Sequence, residues 1–141
     1  MIETPDRLYI DKKDKDLYDK IKDDLFKEIQ NKDQFLVAMA YGYKYDAKIP
    51  LDSKEGYVRT EYLSPEDKAL MDAIALSVED SVDILANKEL VFSIAEEFAH
   101  GGIKLIHDQV ISQQYGSFIK TLEKEIMNDV NKLKSNKNYI S

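Results

Sequence analysis

The stretch from Phe35 to Leu63 restricts this chain more than any other. It begins with the apolar run Phe35-Leu-Val-Ala-Met-Ala40, breaks at Gly42 inside Tyr41-Gly-Tyr-Lys-Tyr45, and crosses Lys48-Ile-Pro-Leu51. It ends in an alternating segment, Tyr57-Val-Arg-Thr-Glu-Tyr62. The pattern predicts a buried helix over residues 34–41, with Asp33 as its N-cap and Gly42 as a left-handed residue at its end. Extended chain follows. Ile49-Pro-Leu51 and residues 57–62 read as the two arms of a hairpin, with Pro50 on an edge because it has no N–H for a ladder. A helix stopped by glycine and followed by tyrosine-rich extended chain is an element that presents a surface.

Around this segment the elements are mostly helical. Arg7-Leu-Tyr-Ile-Asp11 alternates, with Leu8 and Ile10 on one side, as in a short amphipathic strand. Leu17, Ile21, Leu25 and Ile29 recur every fourth residue and predict a first helix with one apolar stripe. Ser64-Pro65-Glu66-Asp67 combines an N-cap serine, proline at the first helical position and acids at the positive end of the helix dipole. The helix it starts buries Leu70, Met71, Ile74, Ala75 and Val78. Asn87 caps another, with Leu90, Val91, Ile94 and Phe98 inward and a stop at His100-Gly-Gly102. A further helix uses Ile103, Ile106, Val110 and Ile111 and breaks around Tyr115-Gly116. The last carries Ile119, Leu122, Ile126, Val130 and Leu133, a seam too short for a coiled coil, before a frayed tail at 134–138.

These readings give a mainly α fold, a single helical domain over residues 1–141 with a small antiparallel β hairpin or ribbon. A chain of 141 residues can bury a continuous core. No apolar run is long enough to span a bilayer, and the acidic start Met1-Ile-Glu-Thr-Pro-Asp6 lacks the layout of a secretory signal. There are no cysteines, which excludes disulfides, zinc-thiolate sites and thiol catalysis. A cytoplasmic protein with no membrane partner is expected. The net charge of −7 is uneven: residues 64–115 hold ten acids against three lysines, and residues 116–141 hold five lysines against three acids. That acidic centre opposes wrapping or non-specific binding of DNA.

Chemistry-bearing patterns are few. Glu97-x-x-His100 has the spacing by which a helix offers two metal ligands, but a di-iron bundle needs two such pairs, and the chain has only two histidines. A helix C-terminus at which His100 meets the negative dipole end outweighs the metal reading. No nucleophile elbow, phosphate-binding loop or dinucleotide fingerprint occurs. Gly101-Gly102 reads as a helix stop, and Glu96 and Glu97 diverge by about 100° on a helix. No enzyme activity and no cofactor are expected, with a metal site at Glu97 and His100 kept as the exception.

The feature with functional pull is the combination of rings and cations in Tyr43, Lys44, Tyr45, Lys48, Tyr57 and Arg59, with Tyr62 beside them. Such groups stack on bases and contact phosphates. Four acids, Asp46, Asp52, Glu55 and Glu61, neutralise the segment, and tyrosine is also enriched at protein interfaces. A ribbon-helix-helix reading of the N-terminus would add Arg7 and Tyr9, but Asp11 on the same face opposes DNA contact.

Three segments together resemble the small accessory proteins associated with DNA phosphorothioation (Dnd) systems of bacteria and archaea. They are Arg7-Leu-Tyr-Ile10, the Phe35–Lys44 run with Ile49-Pro-Leu51 and Val58-Arg-Thr-Glu61, and Ile94-Ala-Glu-Glu-Phe-Ala-His-Gly-Gly-Ile103. The likeness covers about residues 7 to 112; beyond Tyr115, residues 116–141 look like an added amphipathic helix and tail. The resemblance implies a role in host defence beside sulfur-modified DNA, linked to restriction machinery, and supplies no catalytic motif. The expected function is a non-enzymatic accessory or adaptor whose partners are other proteins of the same system. The alternative is a DNA-binding or regulatory protein; direct DNA contact and self-association stay open.

Overall fold

The computed structural model describes residues 5–24, 29–112, 120 and 122–132. Strand β1 (Arg7–Asp11) opens the chain, followed by a 3₁₀ turn at Lys12–Asp14 and helices α1 (Lys15–Asp24) and α2 (Asn31–Lys44). Strand β2 (Lys54–Arg59) leads through a second 3₁₀ turn to α3 (Pro65–Glu79), a third turn at Val82–Ala86, and the long α4 (Lys88–Ser112). Residues 122–132 are also helical. The chain divides into two compact units, residues 1–107 and 108–141, and the boundary falls within α4. The fold is mainly α with one small antiparallel sheet, as the periodicities predict.

That sheet pairs β1 with β2, from Arg7 opposite Arg59 to Asp11 opposite Lys54. The expected partner, Ile49-Pro-Leu51, does not join it. The Ile49 amide donates instead to the Glu97 carbonyl of α4 at 3.1 Å, so the chain after α2 runs against a helix. Leu8 faces Val58 and Tyr9 faces Gly56, which leaves Tyr57 unpaired as a β-bulge. The Tyr57 ring packs on Tyr18 with centroids 4.8 Å apart. Its hydroxyl donates to Gln34 Oε1 at 3.1 Å.

Alternation in β1 buries Leu8 and Ile10 as expected, but Asp11 on the other side is buried too. In α1 the inward residues are Tyr18 and Ile21; Ile29 is exposed and outside the helix, and Leu25 lies outside the described residues. The core of unit 1 is completed by Phe35, Ala38 and Met39 of α2, Met71, Ile74 and Ala75 of α3, and Val91, Ile94, Phe98, Ile103 and Ile106 of α4. Each fully buried Ile, Leu or Phe contributes about 1.5–3 kcal/mol. Leu70 and Val78, expected inside, are exposed.

The start of α3 is as read. The Ser64 side chain accepts from the Asp67 amide at 3.1 Å, and the Asp67 carboxylate accepts from the Ser64 amide at 2.9 Å, a complete capping box with proline at the first position. The glycines behave otherwise. Helix α2 starts at Asn31 after an uncapping Gln30 and runs through Gly42 to Lys44, and α4 runs straight through Gly101-Gly102. No described glycine has a positive φ; the left-handed residues are Asp46 and Asp80, just past α2 and α3. The glycines are where two backbones meet. A Cβ on Gly42 would stand 2.8 Å from the Phe98 carbonyl carbon and on top of its oxygen, and one on Gly102 would stand 2.7 Å from the Gly42 nitrogen. A Cβ on Gly101 would overlap the Ala47 carbonyl. Close approach explains all three.

Candidate interaction surfaces and the buried charge cluster

Helix α4 aims a stripe of ionisable side chains, Glu96, His100 and Lys104, at successive turns. Glu96 is 4% exposed, and its Oε2 accepts the Tyr9 backbone N–H at 2.7 Å. The carboxylate thereby occupies an edge donor of β1 that β2 does not use. Burial pushes its pKa up to about 7, against the opposing effects of the Tyr9 N–H and Lys54, with Glu97 adding to the rise.

One turn on, His100 is buried and its Nδ1 donates to the Asp14 carboxylate. Lys104 Nζ donates to His100 Nε2 at 3.3 Å, and Asp11 Oδ2 lies 3.9 Å from that nitrogen. The arrangement assigns the ring proton to Nδ1. Burial raises the Asp14 carboxyl above its ordinary range despite the imidazole beside it. Burial acts the same way on Asp11, but three backbone amides, of Lys13, Asp52 and Ser53, and the nearby His100 outweigh it and hold that carboxyl below its ordinary range. Asp14 Oδ1 and the Tyr18 hydroxyl are buried without a partner among the described residues.

His100 is therefore mid-helix and bound to a carboxylate, not at a helix end facing the dipole. Glu97 points elsewhere, 4.0 Å from Lys48 Nζ. Among the described residues no three His, Cys, Asp or Glu side chains are placed to hold a metal ion.

A concave site lies beside Glu96. It is a groove of about 550 Å³ lined by Asp6, Arg7 and Tyr9 from β1 and its approach, Lys54 from β2, and Glu89, Phe92, Ser93 and Glu96 from α4. Lys54 Nζ sits 6.0 Å from the Tyr9 ring centroid. Of the residues singled out in the sequence, Arg7 and Tyr9 come together here. The others go to different elements. Tyr43 and Lys44 end α2 and Tyr45 caps it. The Tyr43 hydroxyl meets Ser77 Oγ at 2.6 Å and its ring sits edge-on to Phe98. Tyr57 and Arg59 lie on β2, where Arg59 pairs with Glu61 at 3.2 Å.

Two smaller depressions lie on unit 1. One, of about 190 Å³, is lined by Ala40, Tyr43, Leu70, Ala73 and Ile74 between α2 and α3. The other, of about 210 Å³, lies among Asn31, Lys32, Tyr57, Arg59 and Tyr62. Lys54, Ser93 and Glu96 as groove residues, and the Asp11–Asp14–His100 cluster, were not found from the sequence. Their only signal was the four-residue spacing of Glu96, His100 and Lys104.

The chain matches the family model for DNA sulphur modification system-associated protein 4 over residues 7–139, and it belongs to that family. The match runs past Tyr115, so residues 116–139, which read as an addition, are part of the family pattern. No curated protein and no solved structure matches. No helix among the described residues is long and apolar enough to cross a membrane.

Proposed function

We propose that this member of the DNA sulphur modification system-associated protein 4 family works as a non-enzymatic adaptor, binding other proteins of its system through the face shared by α2 and α3. The observation that carries this reading is an exposed apolar and aromatic patch on a rigid support. Tyr43 is 40% exposed and Leu70 43%, and both line a depression with Ala40, Ala73 and Ile74; Tyr45, at the end of α2, is 45% exposed. Apolar groups gathered in a groove, with a tyrosine at its edge, are the composition of a protein-binding patch. The backbone-to-backbone crossing of α2 with α4 fixes the helix that bears Tyr43, which lowers the ordering cost of docking. The tyrosines act from the end of a helix, where the sequence suggested a hairpin. The test is surface plasmon resonance of the full chain against each protein encoded beside it. One partner should bind, and Leu70→Asp, at an exposed position, should weaken it at least tenfold. Binding to every neighbour that is indifferent to Leu70→Asp would refute the reading.

A second reading, direct contact with DNA, is favoured by the depression in which Lys32, Tyr57, Arg59 and Tyr62 meet. Cations and rings in one small cleft suit a phosphate and a stacked base. Gel-shift titration with plain and phosphorothioated DNA tests it; a complex that survives Arg59→Ala with Lys32→Ala would place the contact elsewhere.

A further inference from the structure

The groove between β1, β2 and α4 is separate from both of those surfaces, and its lining is not that of a protein-docking face. Among the described residues the Arg7 guanidinium has no ion pair or hydrogen bond, although Asp6 and Glu89 share its groove. Its side chain lies across Gly56, where an added Cβ would stand 3.0 Å from the Arg7 Cδ, so the missing side chain at Gly56 makes room for the guanidinium. Lys54 stands two residues before Gly56 on the same strand, its ammonium near the Tyr9 ring. Opposite them, α4 contributes Phe92 and Ser93, whose hydroxyl has no hydrogen bond among the described residues. The cavity, about 550 Å³, is within the range of small-ligand sites.

We propose that this groove binds one nucleotide unit, its phosphoryl group held by Arg7 and Lys54 and its base laid on the Tyr9 ring. A guanidinium with unused donors takes a phosphoryl group through paired hydrogen bonds, and the ammonium adds a point charge. An aromatic ring beside two cations offers a stacking surface for any base. The acids of the groove limit what enters. Asp6 and Glu89 are exposed, and residues 64–115 are strongly acidic, so a polyphosphate tail or a long duplex is repelled while a single phosphoryl group is balanced by the two cations. Glu96 faces the groove from α4, with the Tyr9 N–H, Lys54 and Glu97 as its neighbours. In its protonated form it adds no charge against the ligand; ionised, it repels a phosphoryl group.

The same chemistry can arrive as a free mononucleotide or as one nucleotide of a single DNA strand. The test is NMR titration of the full chain with a deoxynucleoside 5′-monophosphate, the nucleoside without phosphate, inorganic phosphate and a single-stranded trinucleotide. The monophosphate should shift the amides of Arg7, Tyr9, Lys54 and Ser93 and bind more tightly than inorganic phosphate, while the nucleoside leaves them unchanged. Arg7→Ala and Lys54→Ala, both at exposed positions, should each weaken binding about tenfold or more. Glu96→Gln should tighten it several-fold at pH 8. A trinucleotide that binds more tightly than the monophosphate assigns the groove to a DNA strand, and equal affinity assigns it to a free nucleotide. No shift at these amides with millimolar monophosphate, equal binding of the nucleoside, or affinity unchanged in the Arg7→Ala, Lys54→Ala double variant would overturn the proposal. None of these results depends on the α2–α3 face.

Discussion

Glu96→Gln isolates a pH dependence of stability that originates at one carboxyl group. Folding raises the Glu96 pKa from an ordinary 4.5 to about 7, chiefly by burial. The folded state therefore keeps a proton over a range in which the unfolded chain has lost it. The stabilisation is complete below 4.5 and is lost as pH rises through about 7. A shift of this size corresponds to about 3 kcal/mol in all, of which about 2 kcal/mol falls between pH 5.5 and 8.5, clear of the isoelectric region. Glutamine keeps the shape and an acceptor for the Tyr9 N–H but does not titrate. Urea unfolding followed by circular dichroism, at intervals across that window, should show wild type losing about 2 kcal/mol more than the variant. Glu96→Gln should then be the more stable protein at the alkaline end. Parallel stability curves for the two proteins would refute the reasoning, because they would mean that the ionised carboxylate is as well solvated in the fold as in the open chain.

Gly102→Ala should cost about 3 kcal/mol or more, since its Cβ would meet the Ala38 carbonyl and the Gly42 nitrogen, neither of which can swing away. Gly56→Ala, whose Cβ would meet the end of the flexible Arg7 side chain, should cost less than a third of that in the same urea series. Ser64→Ala removes one half of the α3 capping box and should destabilise by about 1 kcal/mol in thermal or urea unfolding. Asp14→Ala removes the acceptor of the buried His100 Nδ1–H and should cost about 1–3 kcal/mol in urea unfolding, with increased hydrogen exchange in β1 and the turn at Lys12–Asp14.

The parts of the fold that could be read from the sequence are those whose cause is local. Capping at Ser64 needs only residues 64–67, and the burial of Leu8 and Ile10 follows from alternation within five residues. The parts that could not be read depend on partners far along the chain. Tyr9 and Glu96 are 87 positions apart, and Asp14 and His100 are 86 apart. No spacing rule links an aspartate before the first helix to a histidine deep in the last helix of the unit. The glycines show the same division. Gly42 follows an apolar run and stands between tyrosines, and Gly101-Gly102 follows His100 at the end of an apolar stripe, the local pattern of a helix stop in both cases. What decided the matter was a backbone on another helix. For the surfaces, residue type singled out Arg7 and Tyr9, but only the β1–β2 pairing brings Lys54 beside them.

The contact between α2 and α4 also restricts how this protein can respond to whatever it binds. A slide of α2 by one residue would carry Tyr41 or Tyr43 to the place of Gly42, and a slide of α4 would carry Ile103 to the place of Gly102, where no side chain fits. Small adjustments along that seam are blocked by hard atomic overlap, so the two helices must travel together as one body. Any signal passed from a docked partner has to be carried by the segments that lie outside it, the β1 ribbon above all, whose attachment to α4 depends on protons.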